Sequence, residues 1–108
     1  MKLGIVLNTN DAETCWNCFR LANEALKSDH AVRVFLLGKG VEFETIQDKR
    51  FSLLQGAAKK FTKNGGMMLA CGTCLQLRQK KESAICPVST MGELLRLIEE
   101  SDKVITLG

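Results

Sequence analysis

The sequence predicts a single α/β domain with a mainly parallel sheet of four or five strands and helices on both faces. Short apolar runs alternate along the chain with longer segments whose apolar residues recur at helical spacing. This alternation is typical of parallel sheets joined by right-handed crossovers. The 108 residues contain no linker, repeat or low-complexity stretch, so one domain is expected to span residues 1–108.

The first three predicted elements are a strand, a helix and a strand. Lys2 to Asn8 is a continuous apolar run, as in a strand buried on both faces. Asn10 or Asp11 can cap the helix that follows. Ala31 to Leu37 is a second apolar run, closed by Gly38-Lys39-Gly40. One face of the first helix carries the apolar residues Cys15, Cys18, Phe19, Ala22, Ala25 and Leu26.

The second half of the chain continues the alternation. After an irregular segment with a short helical turn, the pattern predicts a helix over 52–63, a strand over 67–71, a short helix over 73–81 and a strand over 83–86 ended by Pro87. Thr90 and Glu93 form a capping-box pattern, and a last strand covers 103–107. The helix between them is expected to bury Met91, Leu94, Leu95 and Ile98.

Composition excludes several classes of function. The net charge is only +3, and one Trp with no Tyr offers no stacking platform, so direct nucleic-acid binding is not expected. The apolar stretch at the N-terminus is too short for a signal peptide or a membrane span, which favours the cytoplasm and no membrane contact. Five cysteines are many for this length, and an odd count in a reducing compartment indicates reactive thiols rather than a disulfide framework.

The predicted layout places all five cysteines at one edge of the sheet. Cys71 ends the third strand, Cys86 ends the fourth, and Cys74 opens the helix after the third. The first strand ends at Asn8, and the Cys15/Cys18 pair lies in the first turns of the helix that follows it. This is the edge formed by the carboxyl ends of the strands, where parallel sheets bind their ligands. The sequence therefore predicts a thiol-rich functional edge, with Asn8 as a candidate binding residue.

Cys71-Gly72-Thr73-Cys74 is the strongest candidate site. A thiol at a strand end, before a small-residue turn and a helix start, can lie beneath backbone N–H groups that stabilise a thiolate or a persulfide. Gly72 and Thr73 would supply those groups, and Cys74 can resolve a mixed disulfide or persulfide on Cys71. Arg78, one turn further on, is a candidate to hold an anion or sulfur group, although a surface arginine is equally compatible.

The other cysteines admit several interpretations. Cys15 and Cys18 lie on the apolar stripe of a helix, which favours plain burial, and Trp16 between them suggests a subunit contact or a pocket wall. The two Cys-x-x-Cys pairs together would also suit a tetrathiolate zinc site. Cys86 either shuttles sulfur or fills a strand end. No cofactor motif is present.

The chain resembles the DsrE/DsrF-like family of small sulfur-relay proteins, including its TusD-type subunits, over nearly its full length. The resemblance rests on the opening strand, the helix segment 21–26, the strand 32–38 running into Gly40-Val41, the apolar strand ending in Cys71 with an arginine downstream, and the terminal segment 101–105. It implies a parallel α/β fold, homotrimers or homohexamers, and sulfur carried as a persulfide on Cys71 between donor and acceptor proteins.

Two features depart from the family pattern and keep alternatives open. Cys74 adds a second thiol beside Cys71, and Cys15/Cys18 have no counterpart in the motif. A neighbouring thiol would discharge a persulfide as sulfide and leave a disulfide, which is the chemistry of a thiol-disulfide reductase. The hypotheses are therefore a sulfur carrier on Cys71, a reductase using Cys71 and Cys74, and a zinc-stabilised module using Cys15, Cys18, Cys71 and Cys74.

Overall fold

The computed structural model describes residues 1–108. Its strands are β1 (Lys2–Leu7), β2 (Ala31–Leu36), β3 (Met67–Cys71), β4 (Val88–Ser89) and β5 (Lys103–Leu107). Its helices are α1 (Ala12–Lys27), α2 (Leu54–Lys63), α3 (Gly72–Leu77) and α4 (Met91–Glu100). Two 3₁₀ segments, Gly38–Thr45 and Lys49–Phe51, occupy the stretch predicted to be irregular. None of the helices combines the length and apolar character needed to cross a membrane.

The strands form one five-stranded sheet in the order β4-β3-β2-β1-β5, and every neighbouring pair is parallel. The central strand β1 pairs with β2 on one side and with β5 on the other. Its burial is nearly complete, as its unbroken apolar run predicts, because both neighbours and both sheet faces are covered. The predicted α/β class with helices on both faces is confirmed.

Alternation along the strands divides the core into two clusters, one on each face of the sheet. The larger cluster contains Ile5, Val34 and Met68 and packs against α1 and α2. The smaller cluster contains Val6, Phe35 and Cys71 and packs against Leu94 and Leu97 of α4. Adjacent residues of one strand therefore enter different clusters, and this decides which cysteines can meet.

The strand predicted over 83–86 is wrong. Ser83 and Cys86 instead form an isolated antiparallel bridge within a turn, and the strand β4 begins after Pro87. A proline is tolerated here because β4 is an edge strand: Pro87 needs no N–H, and its carbonyl accepts a hydrogen bond from Ala70 N at 3.0 Å. Pro87 thus leads into β4 rather than ending a strand.

Helix α4 buries less than its sequence predicts. Leu94 and Leu97 are buried against the sheet, whereas Met91, Leu95 and Ile98 are 57%, 57% and 45% exposed. The sheet is the only layer that covers this helix, so apolar residues on its flank have no partner within the chain. The capping prediction holds in part: the Thr90 side chain accepts a hydrogen bond from Glu93 N, while Glu93 accepts from Ser89 Oγ instead of closing the box.

Candidate functional site

The site is built where β3 passes directly into α3. Cys71 is the last residue of β3 and the N-cap of α3, so Cys74 follows within the first helical turn. Gly72 lies between them against β4, where an added Cβ would lie 3.2 Å from both Ser89 O and Val88 Cγ1. The absence of a side chain at Gly72 therefore lets the turn stay close to β4.

Cys71 and Cys74 differ in exposure. The Cys71 side chain is 2% exposed and belongs to the smaller core cluster, whereas Cys74 is half-buried. Cys74 packs against the smaller cluster that contains Cys71, and the neighbouring Cys71 raises the pKa of the Cys74 thiol. Thr73 between them is exposed. The sequence prediction that these two cysteines share one site is consistent with this contact.

The backbone N–H group at the site points to Cys74, not to Cys71 as expected. Gly38 N donates a hydrogen bond to Cys74 Sγ at 3.2 Å. Gly38 has φ of +55° and lies against the Asn8 side chain, where a Cβ would overlap Asn8 Oδ1. Glycine is required here for both reasons, and it brings the loop after β2 over the sulfur of Cys74. Asn8 thus packs against the loop that carries the N–H donor.

Arg78 connects the site to the 3₁₀ segment after β2. Its Nε donates to Glu42 Oε2 at 2.6 Å, and its Nη1 donates to Cys74 O at 3.1 Å. Asn10 Nδ2 donates to the other Glu42 oxygen at 3.4 Å. Arg78 is therefore held in place by an ion pair rather than free at the surface, and its charge lies near Cys74.

These contacts act in opposite directions on the thiol of Cys74. Burial, and then the neighbouring Cys71, raise its pKa, while the Gly38 N–H and the Arg78 charge lower it. The net effect is a pKa above the ordinary value, so Cys74 is a protonated thiol at neutral pH. The pKa of Glu42 is lowered, mainly because Arg78 donates a hydrogen bond to it, so the ion pair is charged at neutral pH.

A buried hydroxyl lies beside Cys71 on β4 and is bonded to an exposed glutamate of α4. Ser89 is level with Cys71 in the parallel register and is only 3% exposed. Its Oγ donates to Glu93 Oε2 at 2.6 Å, which satisfies the hydroxyl next to the thiol. The sequence predicts Glu93 only as the partner of Thr90 in a capping box. It does not predict the contact of Glu93 with Ser89 beside Cys71.

The remaining cysteines do not join the site. Cys15, Cys18 and Cys86 belong to the larger core cluster, on the face of the sheet opposite Cys71. Burial raises the pKa of each to about 12, as expected for structural thiols. The sequence places all five cysteines at one edge, and the structure divides them between the two faces of the sheet, with Cys71 in the smaller cluster and Cys15, Cys18 and Cys86 in the larger. The prediction that Cys86 ends a strand is wrong, because Cys86 precedes β4.

The same placement removes the basis for a tetrathiolate zinc site. Cys15 and Cys18 pack beneath the sheet, while Cys71 and Cys74 lie at its other face and edge. No group of three or more His, Cys, Asp or Glu side chains is arranged to hold a metal ion. The half of the prediction that assigned Cys15 and Cys18 to the apolar stripe of the helix is confirmed, since both are fully buried.

Two comparisons with known proteins bear on the whole chain. The model of the DsrE/DsrF-like family matches residues 1–107. The chain belongs to the DsrE/DsrF-like family. Members of this family are in general related to sulfur relay. The crystal structure of the ychN protein from E. coli superimposes on this DsrE/DsrF-like chain with a TM-score of 0.84 at 23% identity, covering 98% of each chain, which shows that the two share a fold. Among curated protein sequences, none matches the chain.

Sequence reasoning found the two thiols of this DsrE/DsrF-like chain but missed the residues around Cys74. Gly38 was seen only as a strand terminator, and Glu42 fell in the segment left irregular. Gly38 lies 36 positions from Cys74, and Glu42 lies 36 positions from Arg78, the residue that it contacts. One available signal was the pair Gly38 and Gly40 at a strand end, where closely approaching backbones demand glycine.

Proposed function

We propose that the protein is a small cytoplasmic sulfur carrier that holds sulfur as a persulfide on Cys71, with Cys74 as the assisting thiol. The observation that carries the proposal is the placement of these two cysteines together at the junction of β3 and α3, at the carboxyl edge of the sheet in a DsrE/DsrF-like chain. Gly38 N–H and Arg78 add partial and full positive charge beside the pair.

The loading step is a thiol exchange. The Cys71 thiolate attacks the outer sulfur of a persulfide on a donor protein, forming a bond from Cys71 Sγ to that sulfur. The S–S bond of the donor breaks, and the donor leaves as a thiolate. Delivery repeats the step, because an acceptor thiolate attacks the outer sulfur and returns Cys71 as a thiolate. No external oxidant or reductant is consumed.

The state of Cys74 favours carriage over immediate discharge. To release sulfide, a Cys74 thiolate must attack Cys71 Sγ, and thiols react poorly while protonated. The pKa of Cys74 is raised by burial and by its contact with Cys71, so few molecules hold this thiolate at neutral pH. A protonated Cys74 can instead donate a hydrogen bond to the sulfur of Cys71.

The second candidate function is a thiol-disulfide reductase, and the same placement of the two thiols favours it. In that chemistry Cys71 and Cys74 close a disulfide while a substrate disulfide is reduced by two electrons. A measurable redox potential for the pair, together with turnover of a model disulfide, would support the reductase against the carrier.

The proposed carrier works with other proteins and with copies of itself. Donor and acceptor proteins supply and remove sulfur, and the carrier assembles as a homotrimer or homohexamer. The apolar residues left exposed on α4 support self-association, because contiguous exposed apolar side chains are typical of interaction surfaces.

The loading step is tested by mass spectrometry after incubation with a cysteine desulfurase and free cysteine. We expect the wild type to gain the mass of one sulfur atom and Cys71→Ser to gain none. Cys74→Ser should still load, because the sulfur is bound to Cys71. Cys18→Ala is the matched control, since that thiol is fully buried on the other face. Equal loading of Cys71→Ser and wild type would refute the proposal.

A further inference from the structure

A groove runs between α1 and α2 on the side of the molecule away from Cys71. Its volume is about 1080 Å³, and Trp16, Leu21, Leu26, Leu53 and Ala57 supply its apolar lining. Leu21 and Leu53 are 44% and 71% exposed within it. At Gly56, an added Cβ would meet no atom within 4 Å, so this wall of the groove is open. The groove is called the α1/α2 groove below.

The polar groups of the α1/α2 groove carry mostly positive charge. Arg20, Lys27 and Lys60 line it, against one acid, Glu24. The Arg20 guanidinium lies 4.5 Å from the centre of the Trp16 ring, which fixes one charge at the apolar wall. An occupant with an apolar ridge and acidic neighbours would match both features.

One polar atom in the groove lacks a partner. Asn23 Nδ2 donates to Ala57 O at 3.0 Å across the two helices, while Asn23 Oδ1 is buried without a hydrogen bond. The Asn23 side chain therefore joins α1 to α2 beneath the groove.

A matching ridge exists on the same chain. Met91, Leu95 and Ile98 stand four and three residues apart on α4, so they form one exposed line along the helix, called the α4 stripe. Helix α4 also carries three acids, Glu93, Glu99 and Glu100, against one base, Arg96. The charge on α4 is opposite in sign to that of the α1/α2 groove.

We propose that the α4 stripe of one copy docks into the α1/α2 groove of a second copy. The contact is heterologous, because each copy offers a different surface, and repetition of it generates a ring or a filament. Pairing of two α4 stripes would instead bring two acidic helices together, and pairing of two grooves would oppose six basic residues. Opposite charges favour the head-to-tail contact over both symmetric ones.

This inference rests on the self-association proposed above and is independent of the sulfur chemistry. It names the two surfaces that meet, which the likeness in fold does not. Because the α1/α2 groove lies on the opposite side of the sheet from Cys71, the contact would join copies without using the groove as the thiol site.

The test uses two variants of the full chain that each remove one surface. Leu95→Glu places a charge in the α4 stripe, and Gly56→Phe fills the α1/α2 groove from a helical position that has room for the ring. Leu77→Glu is the control, since it adds the same charge at an apolar residue that is 77% exposed on α3. Mass is measured by light scattering, and circular dichroism verifies that each variant is folded.

The head-to-tail contact predicts a different oligomeric state for the single variants than for their mixture. The wild type and Leu77→Glu form oligomers, and each surface variant alone is monomeric. An equal mixture of Leu95→Glu and Gly56→Phe forms a heterodimer, because the first keeps its groove and the second keeps its stripe. If the stripe paired with itself, Gly56→Phe alone would remain oligomeric. If the groove paired with itself, Leu95→Glu alone would remain oligomeric.

Charge reversal provides a second measurement. Lys60→Glu and Glu99→Lys are each expected to weaken association about tenfold, and the double variant is expected to regain most of the loss. A monomeric wild type would overturn self-association and this contact together. An oligomeric wild type whose surface variants stay oligomeric, or whose mixture stays monomeric, would overturn this contact alone and leave the proposed sulfur chemistry untouched.

Discussion

At the scale of single residues, the environment of Cys74 is determined by side chains and backbone from other parts of the chain. The N–H of Gly38 and the charge of Arg78 lower its pKa, and burial and Cys71 raise it. No window of neighbouring sequence contains these groups together. The two thiols and the nearby Arg78 were therefore predictable from the sequence, whereas the N–H of Gly38, which lies 36 positions from Cys74, was not.

Replacing Gly38 with alanine tests the loop over Cys74. We expect Gly38→Ala to destabilise the protein by about 1–2 kcal/mol, because its φ of +55° disfavours a side chain and Asn8 occupies the space. The lost N–H contact should also raise the pKa of Cys74 and slow its alkylation by iodoacetamide. Gly56→Ala is the matched control: it has open space in a helix and should stabilise by about 0.5–1 kcal/mol. Equal urea midpoints for the two variants would contradict this account.

Replacing Arg78 tests the charge beside the thiol. Because the Arg78 charge lowers the pKa of Cys74, Arg78→Gln should raise it and move the alkylation profile of Cys74 to higher pH. At a fixed pH below that pKa, alkylation of Arg78→Gln should be slower than that of the wild type, because a smaller fraction of Cys74 is thiolate. Arg96→Gln removes an exposed charge on α4 and should leave the profile unchanged. Superimposable profiles for Arg78→Gln and wild type would show that the arginine serves the fold alone.

At the scale of elements, helix α1 illustrates what a periodic pattern can and cannot decide. The apolar stripe predicted that Cys15 and Cys18 are buried, and both are. The pattern did not decide which face of the sheet the helix covers, because that depends on the crossover and not on local sequence. The sequence therefore does not predict that Cys15 and Cys18 lie on the other face of the sheet from Cys71. It also does not predict β4, because a strand of two residues shows too little pattern to be recognised.

The buried thiols of α1 predict instability at alkaline pH. Folding raises the pKa of Cys15 and Cys18 from 9.0 to about 12, so the folded state holds these protons more tightly. Their contribution is complete below pH 9 and falls as the pH rises towards 12, by at most about 1.4 kcal/mol per pH unit for each thiol. Urea midpoints should therefore decline above pH 9. Cys18→Ala should decline less steeply over the same range, and parallel curves for the two proteins would count against this assignment.

The N-cap of α4 is expected to contribute modestly to the stability of the protein. Thr90 accepts a hydrogen bond from Glu93 N, so Thr90→Ala should lower the free energy of unfolding by about 1 kcal/mol. Thr90→Asn keeps a capping acceptor and should remain within a few tenths of a kcal/mol of wild type. Thr106→Ala on the exposed side of β5 serves as the control. Chemical denaturation of the three variants distinguishes a lost cap from a general effect of shortening a threonine.

At the scale of the whole molecule, the alternation of strands and helices sufficed for the parallel α/β class and for every helix and strand except β4, to within a few residues. Surfaces were harder to predict. Met91, Leu95 and Ile98 have the spacing of a buried face, and only the structure shows that the sheet leaves them uncovered. Helical spacing alone does not show which of the apolar residues on a helix the sheet covers.

The chemistry of the pair is tested most directly by following the fate of the sulfur. Protein loaded with one labelled sulfur would be mixed with a small thiol, and the products separated as acceptor persulfide, free sulfide and protein disulfide. Our account predicts that the label passes to the acceptor and that Cys71 and Cys74 both end as free thiols. Label released as sulfide, with a disulfide between Cys71 and Cys74 in equal amount, would contradict the carrier and identify a reductase.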